Sequence, residues 1–504
     1  MELSSALGPL HEPVTAELRS LAAEDAVNRI WSGDHTLWSP DPSGIADRLG
    51  WLHVLPEMDA SVSELEMFAA GVKADGLTKV VICGMGGSSL FPEVLTHTFH
   101  SPDGLPVSIL DTTDPAALDR ILSDREITET LFVGASKSGS TIETKSQLET
   151  FWSRLQRGSQ FTVITDPGTD FVQLADQNGF RRVFLNRSDI GGPFSALTYF
   201  GLLPGALAGA PIAEILQTAS ALVPALRLPA QENPAVVLGA SLAVACQHGH
   251  DKVTLFLDPR IEHLGVWLEQ LLAESTGKQG QGVVPIINEP PSNEVYGDDR
   301  LFVVVGSPEG TEHIPSDAPI IRLSLSSAVD IGSQVMLWEF ATAVAGAVLG
   351  INPFDHPNVE PSKQAARELL RSGVPPIPLS PVPDLLAELR SGDYLNLCAY
   401  VDGASSTADR LRRKLAQLGR RHRVPTTFGI GPRYLHSTGQ LHKGKPSRFV
   451  ALQIVAEDRT DVAVPGETFT FGQLKAAQAA GDYRALQHMG ARVGRVALTE
   501  FLDA

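Results

Sequence analysis

Two short stretches of this sequence put hydroxyl groups and glycines where an anion could be held. The first, SKSGSTIET (136–144), follows the apolar run LFVGA and opens a segment of helical character. Ser136, Ser138 and Thr141 supply hydroxyl donors around Lys137, and Gly139 permits close approach of the main chain. A helix N-terminus adds unpaired N–H groups and the positive end of its dipole, so the set suits a phosphate monoester. The second stretch, VVICGMGGSSLFPEV, also runs from strand to glycines to helix, with Gly86, Gly87, Ser88 and Ser89 at the turn. Helix capping by Ser and Thr would account for either stretch alone. Two such turns in successive strand–helix units are better explained by a small phosphorylated ligand held between them. A dinucleotide fingerprint would need glycine in place of Ser89, and a Walker loop would need Gly-Lys-Ser/Thr, which is absent.

The elements that must position these turns are visible as short β-branched runs alternating with helical stretches. KVVICG, PVSILD, TLFVGA and FTVIT form one set, and KVTLFLD, GVVPII, LFVVVG and PIIRLSL a second. This alternation predicts an α/β protein with two doubly wound parallel sheets, whose ligands sit beyond the carboxyl ends of the strands. The expected division is an N-terminal helical wrap over 1–75, carrying Trp31, Trp38 and Trp51, then doubly wound domains over 76–225 and 226–375. Past Leu370 the prolines of GVPPIPLSPVPD exclude helix and suit an extended connector. Beyond it, LNLCAYVD, TTFGIGP, FVALQIVAE and two helical stretches suggest a small C-terminal α/β domain over 376–504. Its Arg-rich helix, ADRLRRKLAQLGRRHR, reads as a solvated or interdomain face.

The chain has 504 residues, 43% hydrophobic and 19% charged, which fits packed domains and excludes wholesale disorder. A formal charge of -18, from 58 acidic against 40 basic side chains, argues against nucleic acid and anionic membrane as partners. No apolar run reads as a membrane span, the N-terminus MELSSALGPLHEP lacks a signal-peptide layout, and a cytoplasmic protein is expected. Cys83, Cys246 and Cys398 are scattered, and His248 and His250 lack further ligands at helical spacing, so neither a disulfide framework nor a metal site is expected.

Taken in order, the motifs resemble the glucose-6-phosphate isomerase family of the sugar isomerase superfamily. GMGGSSLFPEV is similar to the family's first signature and SKSGSTIET to its Ser/Thr phosphate loop. LLAESTGK resembles the segment carrying the catalytic glutamate, and NPFDHPNVEPSKQ the late motif ending in the catalytic lysine. The agreement spans roughly Leu77 to Leu370. The flanks DHTLWSPDP, LGWLHVLPEM and GPRYLHSTGQLHKG look closer to the isomerase half of transaldolase and glucose-6-phosphate isomerase fusions, here without the transaldolase half. The resemblance implies two sugar isomerase domains and interconversion of glucose 6-phosphate and fructose 6-phosphate, with mannose 6-phosphate as an additional candidate. It further implies a phosphosugar ligand, no cofactor or metal, a homodimer as a candidate assembly and a transaldolase as a candidate partner.

Such a reaction removes a proton from the carbon beside a carbonyl and returns it to the neighbouring carbon, so one carboxylate can serve as base and then acid. The resemblance assigns this to Glu274. It follows Leu264, Trp267, Leu268, Leu271 and Leu272 on one helical face, at an edge where partial desolvation would raise its pKa. Lys363 then stabilises charge on the ring oxygen or the enediolate. His356 stands where the family usually carries glutamine, and could handle a proton near neutral pH or simply bond the turn. Two departures bear on catalysis: Pro193 follows the paired glycines where the family has arginine, and an ungapped alignment puts Val335 where many members carry the ring-opening histidine. His436, His442 and Lys443, in LHSTGQLHKGK, are candidates to replace them from the C-terminal domain, against the alternative of an ordinary surface loop. The rival functions are a non-catalytic phosphosugar-binding or regulatory protein with a degenerate site, and a structural partner of a transaldolase.

Overall fold

The computed structural model describes residues 2–99, 101–292 and 296–503. Strand β1 (Leu3–Ala6) opens the chain. Next come β2 (Lys79–Gly84), β3 (Val107–Leu110), β4 (Thr130–Ala135), β5 (Phe161–Thr165) and β6 (Arg182–Leu185), which form a parallel sheet in the order β3-β2-β4-β5-β6. Strands β7 (Lys252–Leu257), β8 (Val284–Ile286), β9 (Arg300–Val305) and β10 (Ile320–Leu323) form the second sheet, β1-β10-β9-β7-β8, parallel except for β1. A third parallel sheet, β12-β11-β13-β14, is built from β11 (Tyr394–Tyr400), β12 (Thr426–Ile430), β13 (Phe449–Val455) and β14 (Arg492–Ala497). Every residue of β4, β9 and β11 is buried, as strands covered on both faces require. In each sheet the leading parallel strand lies between the two that follow it, so strand order reverses there and a crevice opens at the carboxyl ends.

The N-terminal segment differs from a purely helical wrap. β1 pairs antiparallel with β10, Leu3 opposite Leu323, and covers an edge that would otherwise be open. Its sequence, LSSA, carries no apolar alternation, and β6 and β14 (RVFL and RVGRVA) are interrupted by arginine or glycine. The wrap is pinned by its tryptophans: Trp31 donates to the Leu226 carbonyl at 2.9 Å and Trp38 to that of Ala343 at 2.8 Å. One segment, Ala328–Leu349, is long and apolar enough to cross a membrane, contrary to the expectation that no such run exists. It is 89% buried, and its helix packs against the helices Ile212–Leu222 and Pro234–Gln247 as the core of the second domain.

The prolines after Leu370 leave residues 373–381 without helix, and Pro383 then sits in the first turn of the helix Val382–Ala387. The C-terminal unit is built into the body of the protein. Val464 and Phe471 join the aromatic core of Phe132, Phe151 and Phe161 in the first domain. Lys475, on the helix Phe471–His488, is buried between Asp458 and Asp114, the latter at 2.8 Å, and Lys445 pairs with Asp251 of the second domain. The helix Ser406–His422 buries Leu411, Leu415 and Leu418 and leaves Arg410, Arg412, Arg413, Arg420 and Arg421 exposed, the solvated alternative of the two expected for it.

Candidate active site

The crevice of the first sheet holds a cavity of about 350 Å³ between the ends of β2 and β4. Its floor is the turn Met85–Ser88 and the loop from Ser136 to Thr141. Gly86 has φ +58°, and a Cβ there would lie 2.7 Å from the His436 carbonyl oxygen, so both conformation and space demand glycine. A Cβ on Gly87 would run into the Gly192 carbonyl. The hydroxyls of Ser136 and Thr141 lie 3.0 Å apart, and those of Ser138 and Ser140 2.9 Å apart. Thr141 occupies the N-cap of the helix Ile142–Leu155, yet its side chain makes no capping bond. Capping therefore does not account for this hydroxyl, which lines the cavity with Ser88, Ser136 and Ser138. The Lys137 ammonium is engaged by Asp166 at 2.5 Å and the Ser188 carbonyl at 2.7 Å, so it braces the cleft wall.

The same cavity is lined by Glu274, near the end of the helix Leu264–Thr276. Leu264, Trp267, Leu268 and Leu271 bury that helix in the core and carry Glu274 to the cavity with 8% of its surface exposed. Burial pushes its carboxyl up to about 7, while Gln270, Lys363 and Lys278 pull the other way. Gln270 Nε2 donates to Glu274 Oε2 at 2.8 Å and to the His436 carbonyl at 3.0 Å, which fixes the carboxylate's orientation. His356 Nδ1 lies 3.7 Å from Glu274 Oε1. Burial, and then the Lys278 charge, hold its imidazole well below the usual range, so it is neutral at pH 7 and does not titrate there. Lys278 bonds the Asn352 carbonyl and Asp355 Oδ1, the latter at 2.9 Å, tying the 352–356 turn to the end of the glutamate's helix. Lys363 projects from the helix Glu360–Ser372, lines the cavity and has no ion-pair partner among the described residues.

The C-terminal unit supplies one wall through His436, at the end of the turn Arg433–His436. Its Nε2 lies 2.9 Å from Oε1 of Glu143, a buried carboxylate that also accepts from Gln478 at 2.7 Å. Burial alone would raise Glu143, but the His436 charge and hydrogen bond outweigh it and hold the carboxyl below its ordinary value. An ionised carboxylate can only accept, so Nε2 carries the proton and Nδ1 is the nitrogen left to exchange one.

The structure does not bring the neighbouring candidates to this site. His442 is 2% exposed and packs against Tyr394, Tyr434 and Phe449 inside the C-terminal unit, where burial pushes its ring down to about 3. Lys443 is buried against Asp482 at 2.6 Å. Val335 is wholly buried in the Ile331–Leu349 helix and is absent from the cavity lining, so the position aligned with the missing histidine is a core position. Pro193 does line the cavity, and its carbonyl accepts from Trp267 Nε1 at 3.1 Å. Two side chains that hold the site together escaped sequence reasoning. Glu143 lies inside the quoted SKSGSTIET, where only the hydroxyls drew notice, and Gln270 precedes Glu274 by one helical turn, a spacing that puts both on one face.

A family model described as phosphoglucose isomerase matches residues 54–299. A glucose-6-phosphate isomerase of Rubrobacter xylanophilus is 31% identical over 360 residues, covering 59% of this chain and 83% of the relative. One of Parabacteroides distasonis is 28% identical over 394 residues, covering 64% of this chain and 87% of the relative. Among solved structures, a hypothetical protein of Thermus thermophilus superposes with a TM-score of 0.62 at 24% identity, over 74% of this chain and all of that one. A glucose-6-phosphate isomerase of Chlamydia trachomatis gives 0.52 at 19% identity, over 63% of this chain and 74% of that one. Both share the fold.

Proposed function

The chain belongs to the glucose-6-phosphate isomerase family, and we propose on that premise that its cleft interconverts glucose 6-phosphate and fructose 6-phosphate through an enediol. The observation that carries this reading is a buried carboxylate, pushed up to about 7, lining one cavity together with a hydroxyl-rich helix N-terminus.

The phosphate sits on the hydroxyls of Ser136, Ser138 and Thr141 and the turn Gly86–Ser88, at the start of the helix Ile142–Leu155, with Lys137 holding the loop in place. Glu274 takes the proton from C2 of the open-chain aldose and delivers it to C1, while the hydroxyl proton of O2 passes to O1, and the reverse reaction runs through the same carboxyl group. A base with a pKa near the working pH keeps both protonation states accessible within one cycle. Gln270 positions it. Lys363 supplies positive charge for the enediolate, the task for which Pro193 offers nothing. His436, with Nε2 held by Glu143, exchanges a proton at Nδ1 with the ring oxygen as the sugar opens and closes. The test is a coupled assay of the purified protein with fructose 6-phosphate, following glucose 6-phosphate. Turnover is expected, and binding without turnover would point instead to a phosphosugar sensor.

A further inference from the structure

Beyond Lys363 and His436 the cleft continues into a second chamber of about 270 Å³. The two cavities share Ser138, Thr141, Lys363 and His436 as a common edge. Six aliphatic side chains, Ile142, Val359, Ala366, Leu370, Leu435 and Leu474, stand in its walls among polar groups, and against the aliphatic part the hydroxyls of a hexose would find no hydrogen-bond partner. Two carboxylates also face the chamber, and both are engaged: Glu143 by His436 and Gln478, and Glu360 by Arg367 at 3.4 Å. The positive charge of Lys363 remains, with the N-terminal N–H groups of the 14-residue helix Ile142–Leu155 beside it. A second observation marks the chamber as a site. Ser362, in its wall, is 4% exposed, and its hydroxyl has no hydrogen-bond partner among the described residues. A buried hydroxyl in that state calls for a partner from an occupant.

We propose that this chamber binds small anions carrying a compact apolar body, of the aryl phosphate or phosphonate class. The anion rests on the shared edge of Ser138, Thr141 and Lys363 and accepts from the Ser362 hydroxyl, and the body fills the chamber against Ala366, Leu370 and Leu474. Because the anion takes part of the loop assigned above to the sugar phosphate, such a ligand excludes the sugar. That exclusion rests on the proposed function, whereas the binding itself does not.

Calorimetric titration with phenylphosphonate and methylphosphonate separates the two. Both can place an anion on the loop, and only the first has a body for the chamber. Phenylphosphonate is expected to bind at least tenfold more tightly, and Ala366→Phe, which fills the chamber, is expected to cut that preference below threefold while leaving methylphosphonate unchanged. Arg367→Glu, at an exposed position of the same wall, sets a third carboxylate beside the chamber and frees Glu360 from its partner, which keeps the test decisive should Ala366→Phe misfold. It is expected to weaken phenylphosphonate at least threefold. Equal affinities for the two anions in the wild type, a preference that survives Ala366→Phe, or phenylphosphonate binding that Arg367→Glu leaves unchanged would overturn the proposal. If phenylphosphonate binds as expected but fructose 6-phosphate does not compete with it, the chamber stands and the reading of the cleft falls.

Discussion

Glu274 illustrates how burial sets the chemistry of a single side chain. Its carboxyl must be ionised to take a proton, and burial raises it to about 7, so kcat/KM is expected to climb as pH rises through about 7. Lys363 is one of the cations that pull this value down, so Lys363→Met should move the acid limb to higher pH while also lowering kcat; a pH–rate profile of the variant reads both effects. Thr141→Val removes a hydroxyl from the cavity floor proposed to hold the phosphate. Losing one hydrogen bond to a charged group, at about 1.5 kcal/mol, should raise KM for fructose 6-phosphate about tenfold with a smaller effect on kcat. Steady-state kinetics decides, and an unchanged KM would remove the loop from the site. These residues were legible because each motif is contiguous. Whether two side chains six positions apart share a cleft was not. His436 ends a turn at the cavity, while His442 sits in the helix Gly439–Gly444 with its ring among the aromatics of the C-terminal core, and spacing along the chain carries no record of that difference.

At the scale of elements, the β-branched runs marked most strands because parallel strands are buried on both faces and must be apolar throughout. The strands that escaped notice, β1, β6 and β14, lie at sheet edges, where one side has no neighbour to demand it. The helix Ile331–Leu349 shows the reverse case, an apolar run that encloses a carboxyl. Glu339 is 1% exposed, its Oε1 has no partner among the described residues, and burial raises it well above its ordinary value. The folded state therefore holds this proton more tightly than the unfolded chain. Stability from this group is present below about pH 4.5 and lost as pH rises toward the folded value, so the wild type should lose unfolding midpoint between pH 5 and 8. Glu339→Gln should flatten that loss, and parallel slopes in a thermal series across pH would show that Glu339 contributes nothing to it.

At the scale of the whole molecule, the cleft is complete only because three sheet units meet in one chain. The first domain gives the hydroxyl-lined floor, the second gives Glu274 and Lys363, and the C-terminal unit gives His436. Lys475 is one of the clasps between the first and last. Lys475→Ala strands the buried Asp114 without its cation, at a cost of about 3 kcal/mol. The unfolding midpoint should fall, and activity should fall with it as the helix carrying Gln478 loosens its hold on Glu143. A variant with lowered midpoint and full activity would mean that His436 is held independently of that clasp. The central claim is tested most directly by comparing wild type with Glu274→Gln for both turnover and binding of fructose 6-phosphate. Loss of a general base predicts a fall of about a thousandfold in kcat with binding preserved within threefold. A variant that keeps more than a tenth of the wild-type rate would contradict the assignment of Glu274 as the base.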